Sequence, residues 1–304
     1  MRETKEQLTA NCCRFPRPSG RILVLVSIEN YQLVRLAGGT FSVRSVAEAE
    51  TFHPVIGPVA EAQALYVDQL RLRERLRAHD GPFVIWDVGL GAAANVLTVL
   101  RAAADLPCQL HIISFDHTLE PLAFALRHAA QLGYFSGYEQ LAAVLLARGR
   151  VDFPQGQWEL RQGDFPTLLR SPDRPAPPPH AILFDAFSPA KNPAMWTAAL
   201  FANLARCLDP KSPCAMPTYS RSTMLRVTLL LAGFYVGVGR ATGEKEQTTI
   251  AANTLDLLAE PLPREWLQRA RRSRSAEPLS EPVYRQAPLS PESWEKLCRH
   301  PQFV

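Results

Sequence analysis

The stretch Val84-Ile85-Trp86-Asp87-Val88-Gly89-Leu90-Gly91-Ala92-Ala93-Ala94-Asn95 decides how this chain folds. It begins as a buried strand, passes through a turn of small residues and continues into a helix. Gly89 and Gly91 allow the backbone to approach a ligand closely, and the helix that follows offers unbonded N–H groups at its N-terminus. Dinucleotide-binding turns have a third glycine where this chain has Ala94. The pattern therefore predicts either a nucleotide site or simply a tight strand–helix turn.

Short apolar runs alternate with amphipathic stretches on the C-terminal side of this turn. The predicted strands are residues 83–88, 109–115, 158–162, 181–185, 213–219, 235–240 and 248–253. The predicted helices are residues 92–104, 121–132, 139–149, 192–207 and 222–232. This alternation is typical of an α/β fold whose mostly parallel sheet, here of seven strands, has helices on both faces. Ligands of such sheets bind at the carboxyl ends of the strands.

The regions on either side differ in composition from this α/β part. Residues 18–60 are rich in β signals, with predicted strands at 21–26, 31–36 and 40–45 and a hairpin turn at Ala37-Gly38-Gly39, and residues 61–80 have a helical pattern. Residues 261–304 hold seven prolines and a cluster of arginines. The members of this cluster are Arg264, Arg269, Arg271, Arg272 and Arg274. We therefore divide the chain into a β-rich N-terminal extension (1–80), an α/β domain (81–260) and a Pro/Arg-rich C-terminal tail (261–304) that Trp266 and Trp294 anchor in places.

Composition and charge limit the classes of protein. The 304 residues are 47% hydrophobic and 20% charged, which is typical of a globular chain and excludes wholesale disorder. The longest apolar runs are far shorter than the roughly 20 residues of a membrane helix. The N-terminus lacks an apolar signal core, so we expect a cytoplasmic protein. The net charge of +4 is compatible with a polyanionic partner, and the six cysteines have no zinc-site spacing, so no metal is expected.

Two acidic residues follow predicted strands and are candidate ligands of a nucleoside. Asp116 ends the second strand, where an acidic residue accepts hydrogen bonds from a ribose diol. Gly163-Asp164-Phe165 follows the third strand, at a turn that commonly binds the adenine amino group in methyltransferase sheets. A solvated strand end and a surface turn are the structural alternatives.

The most specific motif is Phe184-Asp185-Ala186-Phe187-Ser188-Pro189-Ala190-Lys191-Asn192-Pro193-Ala194-Met195-Trp196. Asp185 ends a strand at the mouth of the sheet, and the two prolines stiffen the turn because each fixes φ. Phe187 offers an aromatic wall. Methyltransferases that act on nitrogen often place an acidic or amide residue, then proline and aromatic residues, at this position.

With these motifs, residues 83–253 resemble the methyltransferase part of the bacterial tRNA 5-methylaminomethyl-2-thiouridine biosynthesis enzymes. That family carries Asp-Gly-Phe-Ala-Pro-Ala-Lys-Asn-Pro-x-Met-Trp, which residues 185–196 match except at Ala186 and Ser188. Its nucleotide turn, Gly-Phe-Gly-Thr-Gly-Leu-Asn, is similar at Gly89, Gly91 and Asn95. The segments Gly163-Asp164 and Thr218-Tyr219-Ser220 also match, whereas Gly243-Glu244-Lys245 lacks an arginine that single-domain members have.

The resemblance implies a Rossmann-like class I methyltransferase fold and S-adenosyl-L-methionine as the cofactor, without metal. The chain ends too soon for the FAD oxidase domain of the bifunctional members, so no FAD is expected and a separate enzyme is a candidate supplier of the amine. The implied substrate is the aminomethyl group of the wobble uridine in the anticodon loop of tRNA. The implied catalytic residues are Asp185 and Phe187. The implied cofactor-binding residues are Asp87, Gly89, Gly91, Asn95, Asp116, Asp164 and Phe165. The implied substrate-binding residues are Glu61, Pro189, Lys191 and Tyr219.

Two other functions remain open at this point. A spermidine-synthase-like aminopropyl transferase uses the same sheet but needs more acidic residues around a polyamine pocket. A degenerate methyltransferase fold that serves as an RNA-binding module is compatible with the Ala92-Ala93-Ala94 turn. His53, beside Pro54, is interpreted as a turn histidine.

Overall fold

The computed structural model describes residues 30–171, 173–242 and 246–304. The predicted strand at 21–26, Pro172 and the Gly243-Glu244-Lys245 segment lie outside these ranges. Within them, no helix is long and apolar enough to cross a membrane.

The N-terminal extension contains a small antiparallel sheet of β1 (Tyr31–Arg35), β2 (Phe41–Ser45) and β3 (Glu50–Thr51). The predicted hairpin is confirmed, since β1 and β2 pair in antiparallel register around the glycine turn. The predicted helical segment follows as α1 (Pro58–Ala62), a π-helix (Gln63–Asp68) and α2 (Leu72–Ala78). The helix is interrupted because Arg71 adopts a left-handed conformation, with φ of 49°.

The main sheet has the order β10-β11-β9-β8-β4-β5-β7-β6. Its strands are β4 (Pro82–Val88), β5 (Gln109–Asp116), β6 (Arg150–Phe153), β7 (Gly156–Gln162), β8 (Ala181–Phe184), β9 (Ala215–Thr218), β10 (Tyr235–Gly239) and β11 (Thr248–Ala252). The strands from β9 to β7 run parallel, while β11 pairs antiparallel with β9 and β6 antiparallel with β7.

The described part of the sheet has eight strands where the sequence predicted seven. The additional strand, β6, begins directly after Gly149, which ends the preceding helix in the left-handed region with φ of 69°. Four alternating residues at a sheet edge carry too short a pattern to be recognised beside a strong helical signal.

Helices cover both faces of this sheet. They are α3 (Ala94–Ala103), α4 (Glu120–Arg127), α5 (Ala129–Leu132), α6 (Glu139–Arg148), α7 (Phe165–Arg170), α8 (Ala198–Cys207), α9 (Thr223–Leu231), α10 (Trp266–Arg272) and α11 (Pro291–Cys298), with short 3₁₀ turns at Pro193–Trp196 and Leu255–Leu257. Successive residues of β4 point to opposite faces: Ile85 packs into one buried cluster and Trp86 into the other. This three-layer arrangement confirms the predicted fold class.

The C-terminal tail packs on the body of the protein. Trp266 and Phe303 are buried in the same cluster as α8 and α9. The Gln302 side chain bonds both backbone groups of Val236 in β10, and the Arg271 guanidinium lies 5.2 Å from the centre of the Trp294 ring. These contacts involve residues at both ends of the tail.

The order β8-β4-β5 marks a switch point of the sheet. From β4 the chain crosses to β5 on one side and later reaches β8 on the other. The carboxyl ends of these three strands therefore open a crevice, and the predicted motifs follow them directly.

Candidate active site

A cavity of about 1110 Å³ lies at this crevice and is closed on one side by the small N-terminal sheet. Most of the predicted site residues line it. They are Glu61, Gly89, Gly91, Asn95, Asp116, Asp164, Phe165, Asp185, Phe187, Lys191 and Tyr219. Asp87 and Pro189 are not among the lining residues. The cavity slightly exceeds the usual range of ~300–1,000 Å³ for ligand pockets, so it has room for a nucleoside and part of a second substrate.

The glycine turn brings the end of β4 against the loop that follows β8. Gly89 has φ of 92°, and a Cβ atom there would lie 2.6 Å from the Asp185 carbonyl oxygen. Gly91 has φ of 50° and approaches the ring of Phe52. Ala93, at a family glycine position, adopts a left-handed conformation with φ of 63°. The first two positions require glycine for both conformation and space.

Asp116 connects the end of β5 to the glycine turn. Its Oδ2 accepts a hydrogen bond from the backbone N–H of Gly91 at 2.9 Å, and its Oδ1 accepts one from Thr118 N–H at 3.2 Å. The carboxylate is only 9% exposed, yet it lines the cavity. Because a carboxylate has about four acceptor sites, Asp116 retains the capacity to bind a ribose diol.

Asp164 and Phe165 begin a helix that the sequence analysis missed. Asp164 is the N-cap of α7 and accepts a hydrogen bond from Thr167 N–H at 3.1 Å. Phe165 packs on Phe115, with ring centres 5.0 Å apart. The missed signal is Asp164 followed by Pro166 in the first turn, a standard helix start.

Asp87 lies behind the turn. It is fully buried in β4, and its Oδ2 accepts a hydrogen bond from the Ser114 hydroxyl at 2.6 Å. Burial raises the pKa of Asp87 to about 7, against an ordinary 3.8. The predicted direct contact with a cofactor is therefore not supported by its position: Asp87 faces the neighbouring strand and not the cavity.

Asp185 is held by two side chains from distant parts of the sequence. Its Oδ2 accepts a hydrogen bond from Asn95 Nδ2 at 2.8 Å and forms an ion pair with His53 Nε2 at 2.9 Å. Asn95, predicted to bind cofactor, thus contacts the catalytic candidate directly. His53 does lie at a bend, but its contact with Asp185 was missed, because no local pattern reports a partner so far away in the sequence.

The loop after β8 forms a rigid wall of the cavity. The ring of Phe187 packs on Phe52 with centres 5.5 Å apart, and its carbonyl accepts a hydrogen bond from Trp196 Nε1 at 2.8 Å. The Tyr219 hydroxyl donates to the Ala186 carbonyl at 3.0 Å. Burial, followed by nearby carboxylates, raises the pKa of Tyr219 well above its ordinary value of 10.0, so this hydroxyl stays protonated.

Acidic side chains dominate the charge of the cavity. The lining carboxylates are Glu48, Glu50, Glu61, Asp116, Glu120, Asp164 and Asp185. Arg44 and Lys191 are the lining basic residues besides His53 and His117. Such an excess of one sign concentrates ligands of the other, so the cavity suits a sulfonium or an amine. In the described ranges, no three His, Cys, Asp or Glu side chains are grouped as ligands for a metal ion.

Comparison with known proteins agrees with this geometry. Residues 139–254 match the family model described as S-adenosyl-L-methionine-dependent methyltransferase. The tRNA 5-methylaminomethyl-2-thiouridine biosynthesis bifunctional protein MnmC of Aeromonas hydrophila is 33% identical over 204 residues, which are 62% of this chain and 30% of that protein. The protein of the same name from Methylibium petroleiphilum is 30% identical over 245 residues, 75% of this chain and 35% of that protein. The relationship predicted from the motifs, to S-adenosyl-L-methionine-dependent methyltransferases, is confirmed.

The chain spans about a third of the length of these curated relatives. Among solved structures, MNMC2 from Aquifex aeolicus superposes with a TM-score of 0.65 and 22% identity, covering 90% of this chain and 84% of that one. A spermidine synthase in complex with the transition-state analogue AdoDATO reaches 0.51 and 11% identity, covering 88% and 84%. At these identities the likeness concerns the fold.

Proposed function

We propose that this protein transfers a methyl group from S-adenosyl-L-methionine to the aminomethyl nitrogen of a modified wobble uridine in tRNA, converting 5-aminomethyl-2-thiouridine to 5-methylaminomethyl-2-thiouridine. The observation that carries the proposal is the convergence of the Gly89–Gly91 turn, Asp116 and Asp185 on one acidic cavity. The matches to bifunctional proteins of tRNA 5-methylaminomethyl-2-thiouridine biosynthesis support the choice of substrate.

The glycine turn and its neighbours are suited to hold the cofactor. Gly89 and Gly91 have no side chain to obstruct the amino-acid end, Asp116 is suited to the ribose, and Asp164 with Phe165 is suited to the adenine. S-adenosyl-L-methionine supplies the methyl group when bound. The residues around it need only align the acceptor with it, which alone can contribute several kcal/mol.

Asp185 is the residue best placed to prepare the acceptor. A primary amine is mostly protonated at neutral pH and must lose that proton before its lone pair can attack. In the transfer, a nitrogen–carbon bond forms while the carbon–sulfur bond breaks, and the bonding pair stays on sulfur. The Asp185 carboxylate accepts the proton that the ammonium loses before the attack, directly or through water, and the methylated nitrogen then carries the positive charge that leaves sulfur.

Other lining residues fit the base and the backbone of an RNA loop. Phe187 offers a ring on which an unstacked uracil can lie, and Lys191 is exposed beside it as a phosphate contact. Tyr219 lines both this cavity and a smaller one that contains Arg221 and Arg269. This smaller, basic cavity supports a path for the tRNA backbone toward the arginine cluster of the C-terminal tail. In this proposal the enzyme is cytoplasmic, and its amine substrate is made by a separate enzyme.

An aminopropyl transferase is the second candidate, and the charge of the cavity favours it more than the sequence did. The lining carboxylates are numerous enough to bind a polyamine. Decarboxylated S-adenosyl-L-methionine would then bind more tightly than S-adenosyl-L-methionine. A degenerate fold that only binds RNA would bind neither.

The decisive experiment uses purified protein, S-adenosyl-L-methionine and tRNA that carries the aminomethyl group, followed by mass spectrometry of the nucleosides. We expect the aminomethyl nucleoside to disappear and its methylated product to appear. Asp185→Asn should abolish most of this conversion, whereas His111→Gln, a matched change away from the cavity, should not. An unchanged tRNA, together with transfer of an aminopropyl group to putrescine when decarboxylated S-adenosyl-L-methionine is supplied instead, would refute the proposal.

A further inference from the structure

The ion pair between His53 and Asp185 joins the N-terminal extension to the α/β domain. His53 belongs to the N-terminal extension, just after β3, while Asp185 follows β8 in the α/β domain. His53 Nε2 lies 2.9 Å from Asp185 Oδ2, and the same oxygen accepts a hydrogen bond from Asn95 Nδ2 at 2.8 Å. The side chains of His53 and Asp185 are only 9% and 18% exposed.

The backbone holds His53 in this position at some cost. His53 has φ of 49°, a left-handed conformation that is unfavourable for a residue with a Cβ. Its neighbour Phe52 is fixed by its N–H to the Val43 carbonyl at 2.8 Å and by a bond from the Ser42 hydroxyl to its own carbonyl. Unfavourable backbone conformations that the surrounding structure enforces are concentrated at functional sites, where they orient a side chain.

The pair carries opposite charges at neutral pH. Burial lowers the pKa of His53, but the charge and hydrogen bonding of Asp185, with smaller contributions from Glu61 and Asn95, raise it to about 9. The other titratable side chains near the pair are Tyr66 in the π-helix, Asp87 in β4 and Tyr219 after β9. Burial raises the pKa of both tyrosines well above 10.0, so both hydroxyls stay protonated and add no charge beside the pair at neutral pH.

We infer that His53 is a positioning residue for Asp185: its imidazolium and the Asn95 amide grip one carboxylate oxygen and keep the carboxylate ionised and fixed beside the acceptor. This inference rests on the proposed function, in which Asp185 orients an amine. The imidazolium already holds its proton, so His53 acts through Asp185 and does not accept the proton of the amine. An unpaired carboxylate in this buried position would instead tend to take up a proton and to rotate.

The pair itself can be tested without any substrate, by NMR titration of the full-length protein labelled at histidine Cε1. The signal of His53 is assigned as the one that disappears in His53→Gln. We expect a midpoint near pH 9 in the wild type, and a fall toward or below 6.5 in Asp185→Asn because burial then acts without its main counter-charge. A midpoint near 6.5 that does not move in Asp185→Asn would overturn the inference.

The positioning role is tested by kinetics on aminomethyl tRNA. In His53→Ala the Asp185 carboxylate loses its ion-pair partner at 2.9 Å, so kcat should fall about 10- to 100-fold while the KM for S-adenosyl-L-methionine stays within about twofold. The acid limb of the pH profile of kcat should move to higher pH in His53→Ala and His53→Gln, because Asp185 loses the cation that keeps it ionised. His53→Gln should retain more activity than His53→Ala because its amide still donates.

The matched control is His111→Gln. His111 pairs with Glu159 at 3.2 Å, with similar exposure, but lies outside the cavity lining. We expect its kinetics to equal those of the wild type. If His53→Ala lowers the melting temperature and the cofactor affinity as well as kcat, the loss of kcat reflects a general structural defect, and the positioning role is refuted. If the wild type fails to methylate aminomethyl tRNA while the titration succeeds, the proposed function fails and the ion pair stands.

Discussion

The burial of Asp87 predicts how the free energy of unfolding changes with pH, and the size of this change follows from the pKa of its carboxyl group. Its pKa of about 7 in the folded protein, against 3.8 when unfolded, means that the folded state holds this proton over pH values where the unfolded chain has released it. Because the folded pKa is the higher one, the stabilising contribution is complete below pH 3.8 and is lost as the pH rises through 7. Applying linkage to these two pKa values gives a loss of about 2–3 kcal/mol between pH 5 and pH 8.

The assay is urea unfolding of the wild type and Asp87→Asn at pH 5, 6, 7 and 8. Asparagine keeps an acceptor for the Ser114 hydroxyl but has no charge to bury. Its new N–H groups add a constant penalty, so the diagnostic quantity is the change with pH of the difference in unfolding free energy between the two proteins. We expect this difference to move in favour of the variant by about 2–3 kcal/mol between pH 5 and pH 8.

A surface aspartate provides the control. Asp152 is 74% exposed and pairs with Arg150 at 3.3 Å on the surface, so Asp152→Asn should change stability little at any pH. If the wild type and Asp87→Asn give parallel curves from pH 5 to pH 8, then Asp87 is ionised at no unusual cost and the reasoning is wrong.

Four further predictions concern ligands. Asp185→Asn should lower kcat on aminomethyl tRNA by roughly 10²–10⁴ with unchanged cofactor affinity, and higher pH should partly restore turnover; kinetics near those of the wild type would leave Asp185 without a catalytic role. Asp116→Ala should weaken S-adenosyl-L-methionine binding by about 1.5–3 kcal/mol in calorimetry, and unchanged affinity would remove it from the ribose site. Gly89→Ala should lower both the melting temperature and the cofactor affinity, because Gly89 has φ of 92° and the new Cβ would lie 2.6 Å from a backbone oxygen. An unchanged melting temperature together with an unchanged affinity would contradict this. Affinity for tRNA should fall steeply with added salt, and Arg269→Ser should reduce that slope; a flat response would favour a small-molecule acceptor.

Most of the order of elements in the α/β part followed from the sequence because the longer strands and helices carry their own periodicity. The glycine turn, Asp116 and Asp185 could be placed at one edge because each directly follows a parallel strand. The edge strand Arg150–Phe153 was missed, since four alternating residues after a helix give a weak signal. The burial of Asp87 behind the turn depends on the facing strand, which a local pattern does not report.

The residues around Asp185 show what sequence motifs leave out. Three neighbours in the extension touch the glycine turn or the loop after β8: Glu50 accepts a hydrogen bond from Ser188 N–H at 3.3 Å, Phe52 packs on Phe187, and His53 pairs with Asp185. Residues 50–53 therefore form one wall of the cavity, although nothing in their sequence resembles a motif.

This arrangement changes how the extension should be regarded. Without residues 50–53, the carboxylate of Asp185 would keep the contact with Asn95 but lose its cationic partner, and Phe187 would lose the ring that it packs against. The sheet supplies the strand ends, but the fixed geometry of the acceptor side depends on the extension. A chain that kept the glycine turn and lost the extension would therefore retain the elements proposed for cofactor binding while losing those proposed to hold the amine.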